Sequence, residues 1–70
     1  MMPLMFAQVG EENTVHKVGG NPEMKKHLED LGFVAGAAVS VVSVFGGNLI
    51  VNIKDTRIAI SREMAGKIMI

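Results

Sequence analysis

Apolar positions along most of this chain come in short runs rich in β-branched residues, and one stretch breaks that pattern with helical spacing. Met24, Leu28 and Leu31 fall at i, i+4 and i+7 and form a single apolar stripe, with Lys25, Lys26 and Glu29 outside it. The stretch is punctuated at both ends. Asn21 suits an N-cap, Pro22 suits the first helical position, and Glu23 suits the positive end of the helix dipole. Gly32 stands where a left-handed C-cap belongs, with Phe33 placed to pack back onto Leu28. The pattern predicts a helix over residues 22–31. So short a helix is marginal alone and must dock its stripe on another element.

The other runs read as strands. Residues 4–9 are apolar and are expected to pack an edge of the core, and Gly10 to Asn13 reads as a turn. Thr14–Val18 is a predicted strand ended by Gly19-Gly20, and Gly36 makes a turn before a strand over Ala38–Phe45. In that strand Val39, Val41 and Phe45 are expected on one face, with Ser40, Val42 and Val44 on the other. Gly46-Gly47 supplies a hairpin turn needing positive φ. Strands over Leu49–Lys54 and Arg57–Ile60 follow, joined by a turn at Asp55-Thr56. Ser61 caps one helical turn over Arg62–Ala65, Gly66 ends it, and Lys67–Ile70 is a last short strand. The expected architecture is mainly β. It is a small five-stranded SH3-like barrel, partly open, with one short helix after the first strand and one helical turn before the last. Gly20, Gly32, Gly36, Gly46 and Gly47 are given structural roles.

Seventy residues form a single domain, 1–70, whose core is small. Without a cysteine, disulfides and thiolate metal sites are excluded. Seven basic and seven acidic side chains balance, so the basic stripe of a nucleic-acid binder is missing. Leu31 to Ile53 is a run of 23 residues without a charge, yet Gly46-Gly47-Asn48 splits it, and a β-hairpin is expected there in place of a membrane span. The start of the chain lacks the positively charged region of a signal peptide.

Chemistry-bearing constellations are few. Glu23, His27 and Asp30 lie at i, i+4 and i+7 beside the apolar stripe, and a His with two carboxylates can hold Zn²⁺ or Fe²⁺. The simpler reading is a solvated flank with a Glu23–His27 helix pair, so no resident cofactor is expected beyond transient Fe²⁺. His16, on the first strand, reads as a rim residue. Ser40, Ser43 and Ser61 come with no base motif, and no phosphate-loop pattern accompanies Gly19-Gly20, so an enzyme is not expected. A polyproline groove needs aromatics, and only Phe6, Phe33 and Phe45 are present. Protein binding by an edge strand or by a surface patch remains. The candidate contact surface is Lys25, Lys26 and Glu29 with the loop at Phe33-Val34, and Arg57 and Arg62 form a secondary basic candidate. Homo-oligomerisation by edge pairing or strand exchange is left open by the high apolar fraction.

The series GGNPE at 19–23, LxDLGF at 28–33, Gly36, VxVV at 39–42, RIAISREMA at 57–65 and the terminal IMI resembles the ferrous iron transport protein A (FeoA) family over residues 4–70. The order and spacing of these motifs carry the resemblance, since none is diagnostic alone. It implies an SH3-like fold and a small cytoplasmic accessory protein of bacterial Fe²⁺ uptake. Such a protein would regulate a membrane ferrous iron transporter that carries a G-protein domain, and would sit at the inner face of the membrane through that partner. The alternative it implies is a metal-sensing or interaction domain like the C-terminal domain of iron-dependent repressors. The family has no accepted catalytic residues, so none are assigned. Its recurrent glycines match Gly20, Gly32 and Gly36. The sequence departs from the family pattern at Ala35 and Val9, where Pro is common before a turn glycine, and at Ala7, where Leu is common.

Overall fold

The computed structural model describes residues 1–70. A 3-10 turn over Leu4–Phe6 precedes β1 (Glu12–Thr14), β2 (Lys17–Val18), α1 (Pro22–Asp30), β3 (Ala38–Phe45), β4 (Asn48–Ile53), β5 (Thr56–Ser61), α2 (Arg62–Ala65) and β6 (Ile68–Met69). Two sheets form, a four-stranded one in the order β1-β3-β4-β5 and a two-stranded one of β2 with β6. Every strand pair is antiparallel. The sheets are not closed into one continuous barrel.

Six strands replace the expected five because the predicted strand over Thr14–Val18 is divided between the sheets. Thr14 pairs with Ala38 in the larger sheet, and Lys17 pairs with Met69 in the smaller one. Between them Val15 donates its N–H to Ala37 at 2.8 Å, and His16 donates to Met69 at 2.6 Å. The extended chain thus turns a corner from one sheet to the other at Val15-His16, as strands do where two sheets pack at an angle. His16 therefore lies between strands, exposed, and Glu12 and Asn13 belong to β1 and not to the turn after Gly10.

Helix α1 begins as its sequence dictates. The Asn21 side chain accepts from the Met24 N–H at 2.8 Å, and Pro22 opens the helix. It ends one residue earlier than expected, with Leu31 as the C-cap. Gly32 takes φ 112°, its N–H donates to the Glu29 carbonyl at 3.0 Å, and the Phe33 N–H donates to the Leu28 carbonyl at 3.0 Å. These two bonds are the paired closure of a Schellman ending, which only a residue free of Cβ crowding enters easily. The apolar stripe is narrower than its spacing suggests. Leu28 is fully buried, Met24 is half-buried, and Leu31, past the last turn, is exposed.

Two tight hairpins build the larger sheet. Gly46-Gly47 joins β3 to β4, and Lys54-Asp55 joins β4 to β5, with Ile53 pairing Thr56. The second turn lies one residue earlier than expected, so Lys54 leaves the strand and Thr56 enters it. Lys54 and Asp55 both adopt positive φ, 49° and 61°, as a two-residue primed turn requires. In β3 the register shifts between Val41, opposite Val51, and Ser43, opposite Ile50. Val42 is the extra residue of a β-bulge. It inverts the alternation beyond it. Val44 now shares the Leu49 face and Phe45 the Asn48 face, and Phe45 is exposed, not packed with Val39 and Val41 as expected.

The core is a cluster of thirteen apolar residues, among them Leu4, Val15, Leu28, Phe33, Val51, Ile53 and Ile68. It is filled from both sheets, from α1 and from the 3-10 turn. The uncharged run over 31–53 is spent on β3, β4 and their turn, and no helix is long and apolar enough to cross a membrane.

Candidate partner-binding surface

Lys25, Lys26 and Glu29 are all exposed on α1, along one flank of the helix beside the buried Leu28. Lys25 and Glu29 are i and i+4 and adjoin one another, and Lys26 lies next to them, so three charges line one flank of a short helix capped at both ends. The caps and the buried Leu28 hold these charges on a rigid mount.

The loop that was expected to join them divides. Phe33 is completely buried and cannot reach a partner without unfolding the helix end, so its place in the contact surface is corrected to the core. Its amide bond to Leu28 pulls it inward, as the C-terminal signal itself implied. Val34 is half-buried, with its carbonyl taken by the Ala37 N–H at 3.0 Å. Arg57 and Arg62 are exposed on other elements. Arg57 ends a polar row across the outer face of the larger sheet, Glu12–Ser40–Asn52–Arg57, each opposite the next. Arg62 opens α2, and its N–H donates to the Gly47 carbonyl at 3.2 Å, which ties α2 to the β3–β4 hairpin tip.

Glu23 and His27 line a shallow depression of about 280 Å³ with Asn21 and Met24, and Asp30 is not part of its lining. No three His, Asp or Glu side chains come together in a group that could hold a metal ion. A second depression of similar size is lined by Glu12, Ser40, Asn52, Lys54 and Asp55 on the outer face of the larger sheet. The five glycines assigned structural roles divide in kind. Gly20, Gly32, Gly36, Gly46 and Gly47 all have positive φ, but a Cβ would touch a neighbour only at Gly20, Met24 Cγ at 3.4 Å, and at Gly32, Lys54 Cδ at 3.4 Å.

Sequence reasoning missed four strongly exposed apolar residues: Phe45 at 76%, Phe6 at 65%, and Val9 and Val44 at 57% each. For Phe45 the only available signal was its position directly before Gly46-Gly47, at a hairpin tip.

The FeoA domain family matches residues 2–70. The chain belongs to the FeoA family. That family is involved in ferrous iron transport. A Methanocaldococcus jannaschii relative named as an Fe(2+) transport protein A is 36% identical over 70 residues, which covers all of this chain and 85% of the relative. The crystal structure of Stenotrophomonas maltophilia FeoA, described as an SH3 domain protein complexed with zinc, superposes with a TM-score of 0.86 at 28% identity. It covers 99% of this chain and 88% of that one. The SH3-like reading of the sequence is thereby shown, with the sheets left open. A manganese-dependent transcriptional repressor shares the fold, with a TM-score of 0.84 at 20% identity over 94% of this chain and 38% of that one.

Proposed function

We propose that this FeoA chain is a non-enzymatic, cytoplasmic accessory protein that binds and regulates a membrane ferrous iron transporter carrying a G-protein domain. The observation that carries the reading is the exposed, charged flank of α1. Membership in a ferrous iron transport family supplies the context, and Lys25, Lys26 and Glu29 supply exposed charges on a helix fixed at both ends. Val34, half-buried in the loop after α1, and Arg57 and Arg62, exposed on other elements, are secondary contacts. Regulation would follow from differential affinity, because a bound protein shifts its partner only by preferring one of the partner's states.

Charge reversal by Lys25→Glu with Lys26→Glu tests this. The fold should be unchanged, since both side chains are exposed. Transporter pull-down should weaken by about 1–2 kcal/mol, roughly 5–30-fold, with loss of salt dependence, and ferrous iron uptake should change with it. Unaltered pull-down and uptake would remove this surface.

A second reading, metal sensing, is favoured only by Glu23 and His27 sharing one depression. Isothermal calorimetry with Fe²⁺ or Zn²⁺ separates it from the first. Stoichiometric heat that disappears in His27→Ala would support sensing, and its absence would leave partner binding alone.

A further inference from the structure

The larger sheet ends on two very different edges. On one side β1 spans Glu12–Thr14 only, and Glu11 and Glu12 put two negative charges there. Short length and charge are the usual protection of a sheet edge. On the other side β5 spans Thr56–Ser61, pairs with β4 along its whole length, and has no strand beyond it. It contains no proline and no acidic residue, and Arg57 is its single charge.

The two-residue turn at Lys54-Asp55 fixes which main-chain groups are free. Its flanking pair Ile53 and Thr56 is hydrogen-bonded, so alternation directs the N–H and C=O of Thr56, Ile58 and Ile60 to β4. Those of Arg57 and Ala59, and the N–H of Ser61, point away from the sheet. The same alternation sets the side chains. Ile58 shares the core face with Val51 and is only half-buried, while Arg57 and Ala59 are exposed on the outer face.

We propose that two copies of this chain associate edge to edge through β5, antiparallel about a two-fold axis at Ala59. A second copy is the occupant because the edge is complementary to itself in this register. Ala59 then faces the partner's Ala59, and Arg57 faces the partner's Ser61. The free donors and acceptors coincide, giving about four to six main-chain hydrogen bonds. The register never sets one arginine opposite the other, so the only charge in the strand meets a hydroxyl. On the core face Ile58, left half-exposed in one copy, meets the partner's Ile60. The result joins two four-stranded sheets into one. A single strand pair buries less than the roughly 1,200 Å² of a standard interface, so the dimer is weak and concentration-dependent.

Sedimentation equilibrium across a wide concentration range tests the proposal, with circular dichroism confirming the fold of each variant. Wild-type protein should form a reversible dimer. Ala59→Lys and Ala59→Asp each set like charges against each other at the axis and should weaken it at least about tenfold, roughly 1.4 kcal/mol. Mixing these two variants should restore association as a heterodimer, which non-specific aggregation would not do. Amide exchange on the unmodified protein gives a readout independent of any variant: the Arg57 and Ala59 amides should gain protection as concentration rises. A wild type that stays monomeric up to about 1 mM, or that dimerises equally well in both charged variants, overturns it. So does a dimer that leaves those two amides unprotected, including one formed by strand exchange.

Discussion

The Phe33 N–H donates to the Leu28 carbonyl at 3.0 Å, and both side chains are completely buried in the same core cluster. One contact therefore ends the helix and fills the core. Replacing Phe33 by Ala should lower stability by about 3–5 kcal/mol, most of what a domain this small possesses. Urea denaturation would show it, and any loss of partner binding in Phe33→Ala should track the unfolded fraction. Binding lost from a fully folded Phe33→Ala protein would return Phe33 to the contact surface.

Gly32 adopts φ 112° and lies against the Lys54 stem. Gly32→Ala should destabilise by about 1–2 kcal/mol from backbone strain alone. Thermal melts of Gly32→Ala and of Gly32→Ala with Lys54→Ala separate the two contributions. Truncating Lys54 removes only a van der Waals contact at 3.4 Å and leaves the strain, so the double variant should recover little.

The β4–β5 turn is strained in the opposite sense, by holding non-glycine residues where glycine is favoured. Lys54→Asn with Asp55→Gly supplies the residues a primed turn prefers and should raise stability by about 1 kcal/mol. A lower melting temperature in this variant would contradict the turn geometry.

Phe45 offers the reverse case, a large apolar side chain with nothing to lose. At 76% exposure, Phe45→Ser should change stability by less than about 0.5 kcal/mol. A loss comparable to that of a core phenylalanine would mean that Phe45 packs with Val39 and Val41 after all.

Much of the fold was legible wherever local chemistry decided it. Asn21, Pro22 and Gly32 announce the ends of α1, Gly46-Gly47 announces a hairpin, and Ser61 caps α2 by accepting from the Met64 N–H at 3.1 Å. What escaped was decided by distant partners. Val15 and His16 read as mid-strand because both sheets favour the same residue types, and only their bonds to Ala37 and Met69 reveal the corner. Lys54 and Asp55 carry no glycine signal, and the register of β4 against β5 imposes their conformation. Of the candidate surface, the exposure of Lys25, Lys26 and Glu29 was legible because helical spacing sets them outside the Met24–Leu28 stripe. Phe33 was assigned to a loop, where exposure is the default, although its bond to Leu28 carries it inward. The free edge of β5 depends on strand order, which no single segment encodes.

The bulge at Val42 makes the hairpin tip a matter of counting. Deleting Val42 would remove the bulge and let β3 pair with β4 without a break, with Val44 still opposite Leu49 and Phe45 still opposite Asn48. The extra residue is what lets Val41 and Phe45, four positions apart, lie on opposite faces of one strand, so the core keeps its valine while the tip turns its phenylalanine to solvent.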